Sequence, residues 1–294
     1  MRFVNAALDG SATLAVLKDG LVYPARSLGF TGDLLDLIDA GPAALERLRE
    51  NLDKAGRSVS VGAVEDQILL APVQRPRRDI FCAGKTYADH AAEYAQSGYD
   101  KPGAEALPSI PVTFFKLAGT VVGPFDEIHA HAEATAELDY EAELGVILGR
   151  GGKGLSEAEA ADCIFGYFLI NDVTARDWQK GHDQWVLGKS FDTFAPMGPV
   201  VVTADEVPEI AALSFRCFVN GELRQTGAPE KLIFSVPWMI SYFSKGITML
   251  PGDMIATGSP LGPGIGFDPP RFLKPGDSVR IESDLLGIME NRVV

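Results

Sequence analysis

Three carboxylates, Asp139, Glu141 and Glu143, stand at alternate positions of the run Leu138–Leu148. Side chains of a strand alternate between its faces, so this spacing predicts all three on one side. Tyr140, Ala142, Leu144, Val146 and Leu148 then turn toward a core. Like charges on one face repel, and burying one is costly unless something compensates it. A hard divalent cation such as Mg²⁺ is a simple compensation, because it takes oxygen ligands and carboxylates bring both oxygen and charge.

A further acid follows the apolar run Phe165–Ile170. If the chain turns helical near Asp172, then Asp172, Arg176 and Gln179 fall at i, i+4 and i+7 on one stripe. An N-capping aspartate with a helix-stabilising Asp–Arg pair has the same pattern. Beside Glu141 and Glu143, a third oxygen ligand is the better reading of Asp172. His90 and Glu93 lie three apart in the helical stretch Thr86–Glu93. A His–Glu pair on one face can orient and activate a water molecule, and an incidental surface pair has the same spacing. Lys189 sits in the turn Gly188-Lys189-Ser190, where an ammonium near a metal would bind a carboxylate or stabilise an enolate, or stand exposed as most lysines do. Thr257 closes the strand Asp253–Thr257 in a Thr-Gly turn, which suits a substrate oxygen as well as it suits ordinary turn chemistry. Glycines 262, 264 and 266 do not form a nucleotide loop, because Pro263 and Asp268-Pro269-Pro270 break a strand–loop–helix phosphate site. No Cys or His cluster has zinc spacing, and no Gly-x-Ser-x-Gly elbow occurs.

The elements that must carry these groups are mostly strands. In the first seventy or so residues, Arg2–Ala6 and Ala12–Leu17 alternate as strands, Lys18-Asp19-Gly20 is a hairpin turn, and a helix covers Ala43–Ala55, closed by Gly56. The reading is a small N-terminal domain over 1–72 and a second domain over 73–294, joined through the Pro- and Arg-rich stretch Pro72–Arg78. Beyond it, strands fit Val112–Phe115, Ile164–Ile170, Val200–Thr203 and Ser214–Val219, with Asn220-Gly221 as a hairpin signal. Tyr94–Pro111 reads as a loop. Strands outnumber helices without alternating with them, which argues against a doubly wound sheet and for a mixed, β-rich α+β fold. The formal net charge of −14 argues against nucleic acid or an anionic membrane as partner. No apolar run has the length of a membrane span, and the three scattered cysteines read as reduced core residues of a cytoplasmic protein.

Taken in order, these segments resemble the fumarylacetoacetate hydrolase family from about Asp79 onward. The resemblance rests on Tyr-Ala-Asp-His-Ala-Ala-Glu (87–93), Asp-Tyr-Glu-Ala-Glu-Leu (139–144), Asn-Asp-Val-Thr-Ala-Arg-Asp (171–177) and Gly-Lys-Ser-Phe-Asp-Thr (188–193). Asn-Gly-Glu (220–222), Pro-Gly-Asp-Met-Ile-Ala-Thr-Gly-Ser-Pro (251–260) and Phe-Leu-Lys-Pro-Gly-Asp (272–277) complete it. It implies a β-sandwich-like roll, commonly dimeric, with Glu141, Glu143 and Asp172 as ligands of Mg²⁺, or sometimes Mn²⁺ or Ca²⁺. It implies substrate contacts from Arg176, Gln179, Lys189 and Thr257, and a water-activating His90–Glu93 pair on a segment that closes over the site. Fumarylacetoacetase carries a further aspartate ligand where this chain has Ala83, so the site is similar to the smaller acylpyruvase-type branch. Many relatives carry Leu-Asn or Arg-Asn where this chain has Lys85-Thr86.

The implied activity is hydrolytic cleavage of a carbon–carbon bond in a 2,4-dioxo acid, releasing pyruvate as an enolate whose charge the metal and Lys189 share. The alternatives are decarboxylation of a 2-oxo diacid such as oxaloacetate, or isomerisation on the same scaffold. A non-catalytic, metal-stabilised domain stands further off, because a structural metal has no need of His90, Glu93, Arg176, Gln179 and Lys189.

Overall fold

A computed structural model describes residues 1–99, 107–182 and 184–294. Part of the predicted loop Tyr94–Pro111, at 100–106, lies outside the described residues. The chain opens with β1 (Arg2–Leu8), β2 (Ser11–Lys18) and β3 (Leu21–Pro24), then α1 (Leu34–Ala40), α2 (Pro42–Lys54) and β4 (Leu69–Leu70). It continues with β5 (Ile80–Gly84), α3 (Ala88–Gln96), β6 (Val112–Lys116), β7 (Val121–Val122), β8 (Leu138–Asp139) and β9 (Ala142–Leu148). Next come α4 (Glu157–Ala161), β10 (Ile164–Asn171), β11 (Thr174–Ala175), α5 (Arg176–Gly181), α6 (Val186–Lys189) and β12 (Ala195–Thr203). The last elements are β13 (Phe215–Val219), β14 (Glu222–Gly227), α7 (Val236–Ser244), β15 (Met254–Ala256), β16 (Ser278–Ser283) and β17 (Gly287–Arg292).

An open 11-stranded sheet runs in the order β3-β2-β1-β12-β10-β9-β15-β5-β6, with β4 on β1 and β7 on β12. A second sheet has the order β14-β13-β16-β17, and β8 pairs with β11. The turns follow the residue types: Asp19-Gly20 and Asn220-Gly221 hold positive φ at both positions, as two-residue hairpins require. The large sheet carries a core on each face. Ala142, Leu144, Val146 and Leu148 of β9 pack with Phe215 and Cys217 of β13 and with Met239 and Ile240 of α7. On the other face Ile147, Phe168 and Met254 pack with Leu34, Leu37, Leu48 and Leu52 of α1 and α2. Hydrogen bonds cross the boundary near residue 72, because β1 pairs antiparallel with β12 at Arg2↔Val202 and Phe3↔Val201.

Two predicted elements differ. The strand Leu138–Leu148 is broken at Tyr140–Glu141, where Asp139 leaves the large sheet to pair with Thr174. The helix after Asp172 starts four residues later, at Arg176, because Thr174–Ala175 first forms β11. Among the described residues no helix is long and apolar enough to cross a membrane.

Candidate active site

The register of β9 against β10 assembles the acidic cluster. Ile170 stands opposite Glu143 and Asn171 opposite Ala142, so the residues that leave the two strand ends meet. The Asp172 N–H donates to the Glu141 carbonyl at 2.8 Å, and the Glu141 N–H to Asn171 Oδ1 at 3.0 Å. Carboxylate oxygens of Glu141, Glu143 and Asp172 consequently lie within 4.8 Å of one another, all three residues buried. Asp172 joins them from an extended segment, not from a helical stripe shared with Arg176.

Buried cations surround the cluster. Lys189, at the end of the short helix α6 and not in a turn, places Nζ 2.7 Å from both Glu141 Oε2 and Asp172 Oδ2. Lys116 donates to Asp172 Oδ1 at 2.6 Å, to the Val173 carbonyl at 3.0 Å and to the Lys189 carbonyl. Arg176 bonds Glu141 Oε1 at 2.6 Å through Nη2, Gln179 Oε1 at 3.0 Å through Nη1, and Asp139 Oδ2 at 2.9 Å through Nε. Burial opposes ionisation of Glu141, yet Arg176 and Lys189 outweigh it and hold its carboxyl below the usual range. Glu143 accepts one backbone N–H, from Gly258 at 2.7 Å. Burial, then the neighbouring Asp172 and Glu141 charges, push its carboxyl well up. Ionised, the four carboxylates of Asp139, Glu141, Glu143 and Asp172 exceed the three cations paired with this group, Lys116, Arg176 and Lys189, by one.

The donor set therefore fits a hard divalent cation: it is all oxygen and buried, and two of its members already share a cationic ammonium. Above the cluster is a cavity of about 20 Å³, walled by Lys85, His90, Tyr94, Phe114, Trp185 and Ser259. That is room for a water or an ion, and a larger ligand requires its walls to part. His90 is locked at one end, with Nδ1 2.9 Å from Glu93 Oε2, and its Nε2 lies 3.9 Å from Glu141 Oε1. Thr257 stands apart from these groups. Its hydroxyl donates to the Leu144 carbonyl at 2.9 Å, and the neighbouring Gly258 N–H is what reaches the carboxylates.

Residues 79–294 match the fumarylacetoacetate (FAA) hydrolase C-terminal family model. The chain is an enzyme of the fumarylacetoacetate hydrolase family. It is 46% identical over 226 residues to the oxaloacetate tautomerase YisK of Bacillus subtilis, an overlap of 76% of this chain and 72% of that one. The fumarylacetoacetate hydrolase EaFAH of Exiguobacterium antarcticum superposes with a TM-score of 0.84 at 38% identity, covering 100% of this chain and 99% of that one. Maleylpyruvate hydrolase of Sphingobium sp. SYK-6, solved in complex with manganese(II) and pyruvate, gives 0.77 at 27% identity with coverage of 100% and 99%. The family fold, strand-rich and mixed, is the one the sequence predicts.

Sequence reading picked out His90, Glu93, Glu141, Glu143, Asp172, Arg176, Gln179 and Lys189, and the structure brings these together. It missed Lys116 and Asn171, whereas Asp139, kept out of the ligand set as a supporting residue, does brace Arg176. For Lys116 a signal existed: alternation along Val112–Lys116 puts it on the same face as buried Phe114.

Proposed function

We propose that this enzyme is a metal-dependent tautomerase of oxaloacetate-like 2-oxo diacids, moving a proton between C3 and the C2 oxygen. The observation behind this reading is the orientation of His90: Nδ1 is held by Glu93, and Nε2 faces the carboxylate cluster. Water activation would use the same orientation. Similarity to an oxaloacetate tautomerase at 46% identity supports proton transfer, the alternative, over carbon–carbon hydrolysis.

Glu141, Glu143 and Asp172 would hold the divalent ion, Mg²⁺ or Mn²⁺, with Ca²⁺ a weaker Lewis acid. Bound there, the ion supplies electrophilic assistance to a 2-oxo carboxylate. Arg176 and Gln179, already bonded to each other, orient the acid through their remaining donors. Lys189 balances negative charge as it develops on the enolate. His90 Nε2 takes the proton from C3 and returns it at the C2 oxygen, while Glu93 fixes which ring nitrogen is free to do so. Tyr94, Phe114 and Trp185 keep bulk water from the enolate. Thr257 aligns the Gly258 N–H on Glu143. The partners of this reading are a small acid and a second copy of the chain in a homodimer.

Stopped-flow decay of the enol absorbance of oxaloacetate, with Mg²⁺ or Mn²⁺, tests the proposal directly. Interconversion is expected to be faster than in buffer, to be lost with a chelator, and to fall by about 100-fold or more in His90→Ala. Pyruvate should not form faster than it does spontaneously. Cleavage of acylpyruvates without enol–keto acceleration would return the assignment to the hydrolase.

A further inference from the structure

The alternating glycines of Gly262-Pro263-Gly264-Ile265-Gly266 bind no phosphate in any strand–loop–helix arrangement, but the structure places them against two acids of the site. The Gly264 and Ile265 N–H groups donate to Asp139 Oδ1 and Oδ2 at 2.6 and 3.0 Å. The same Asp139 carboxylate accepts Arg176 Nε at 2.9 Å. One turn earlier, the Gly262 N–H points at Glu93 Oε2 at 3.3 Å. Gly266 is the informative position. Its φ is outside the left-handed region, so its backbone would accept an alanine. What a Cβ there would strike is the carboxyl group of Glu93, whose Cγ would lie 2.8 Å away. Gly262 and Gly264 differ, because backbone carbonyls, those of Arg224 and Arg271, crowd the corresponding Cβ positions.

We infer that the segment 262–266 is a cradle for the Glu93 carboxylate, and that Gly266 is a positioning residue for proton transfer at His90. The inference rests on the reading that His90 moves the proton. The absence of a side chain at 266 leaves the space in which Glu93 reaches Nδ1 of His90. Asp139 fixes the cradle to Arg176, so the group that orients the acid and the pair that moves its proton share one brace. The three atoms nearest a methyl at 266 all belong to the Glu93 side chain, whose end can swing aside at little cost to folding. In doing so it leaves the imidazole, and a displacement of about 1 Å at a reacting group can cost about 100-fold.

The experiment is a double-mutant cycle on the whole 294-residue chain, loaded with diamagnetic Mg²⁺, reading kcat and KM for enol–keto exchange, melting temperature, and the ¹⁵N shifts of labelled His90. Gly266→Ala should lower kcat by about 100-fold with KM little changed, while in the Glu93→Ala background the same change should alter kcat less than about twofold, since its target is gone. The His90 ring nitrogens should report one tautomer in the wild type and a mixture in Gly266→Ala. An equal loss of kcat in both backgrounds, or an unchanged His90 spectrum in Gly266→Ala, overturns the cradle. If Gly266→Ala fails to fold, the variant carrying Glu93→Ala as well should fold; failure of both would assign Gly266 to the backbone and also overturn it. Full activity of Glu93→Ala alone would sink the proton-transfer reading instead, and the His90 spectrum would still test the cradle.

Discussion

Lys116 shows how much of this site is held by a residue that does not touch its cavity. Its ammonium is fully buried between Asp172, two backbone carbonyls and the Phe194 ring. Burial, together with the nearby Lys189 charge, lowers its proton affinity, and the Asp172 carboxylate opposes that shift. Lys116→Met would keep the volume, leave two carbonyls without their donor, and leave Asp172 to Lys189 alone. With two buried carbonyls unpaired and Asp172 short of one cation, the metal-free protein should lose about 3–5 kcal/mol in urea denaturation. The reason sequence reading found Glu141 and Glu143 but not Lys116 is physical. Two acids at period two in an apolar strand conflict with burial and so demand an explanation. A lysine ending Val-Thr-Phe-Phe-Lys reads as the strand's charged exit to solvent. Asp172 was legible as an acid at the end of an apolar strand, but its place in an extended segment ahead of the helix was not. The pairing Thr174↔Asp139 that delays the helix joins residues distant in sequence, and local propensity carries no trace of it.

Among the elements, the turn after β15 differs from the cradle in how strictly it excludes a side chain. Gly258 has φ +102°, and a Cβ there would lie 2.7 Å from the rigid Ala83 carbonyl and would strike Thr86 Oγ1. Neither obstacle is the loose end of a long side chain. Among the described residues, the Gly258 N–H is also the one backbone donor on the Glu143 carboxylate. Gly258→Ala should therefore cost stability and metal affinity together: about 1–3 kcal/mol of backbone strain, and about 10-fold or more in Mn²⁺ binding. Thermal melting and calorimetric titration of the metal would measure the two. A variant that loses stability and binds Mn²⁺ as before would show that the turn does not position Glu143. The hairpin turns at Asp19-Gly20 and Asn220-Gly221 could be read from their residue types because such turns are local. The Thr-Gly turn gave its shape but not its target, since Glu143 reaches it only through the pairing of β15 with β9.

Across the whole molecule, the sheet makes the N-terminal 72 residues a structural neighbour of the site. β1 covers the edge of β12, and β12 lies beside β10, whose end delivers Asp172. The leucines of α1 and α2 cover the face of the sheet that bears Ile147, Phe168 and Met254. An amphipathic helix looks the same in sequence whether its apolar stripe meets its own small sheet or a larger one, so composition drew a boundary where packing continues. A chain of residues 73–294 would expose both the β12 edge, with its unpaired backbone groups, and that apolar face. It should elute from size exclusion as soluble aggregate or fail to remain in solution, and it should not bind Mn²⁺ stoichiometrically, whereas the 294-residue chain should stay in solution and bind one Mn²⁺. A truncated chain that melts cooperatively and binds one Mn²⁺ would mean that the ligand strands hold their register without β1. In that case the bond network around Asp172, with Lys116 at its centre, would itself be sufficient to fix the end of β10.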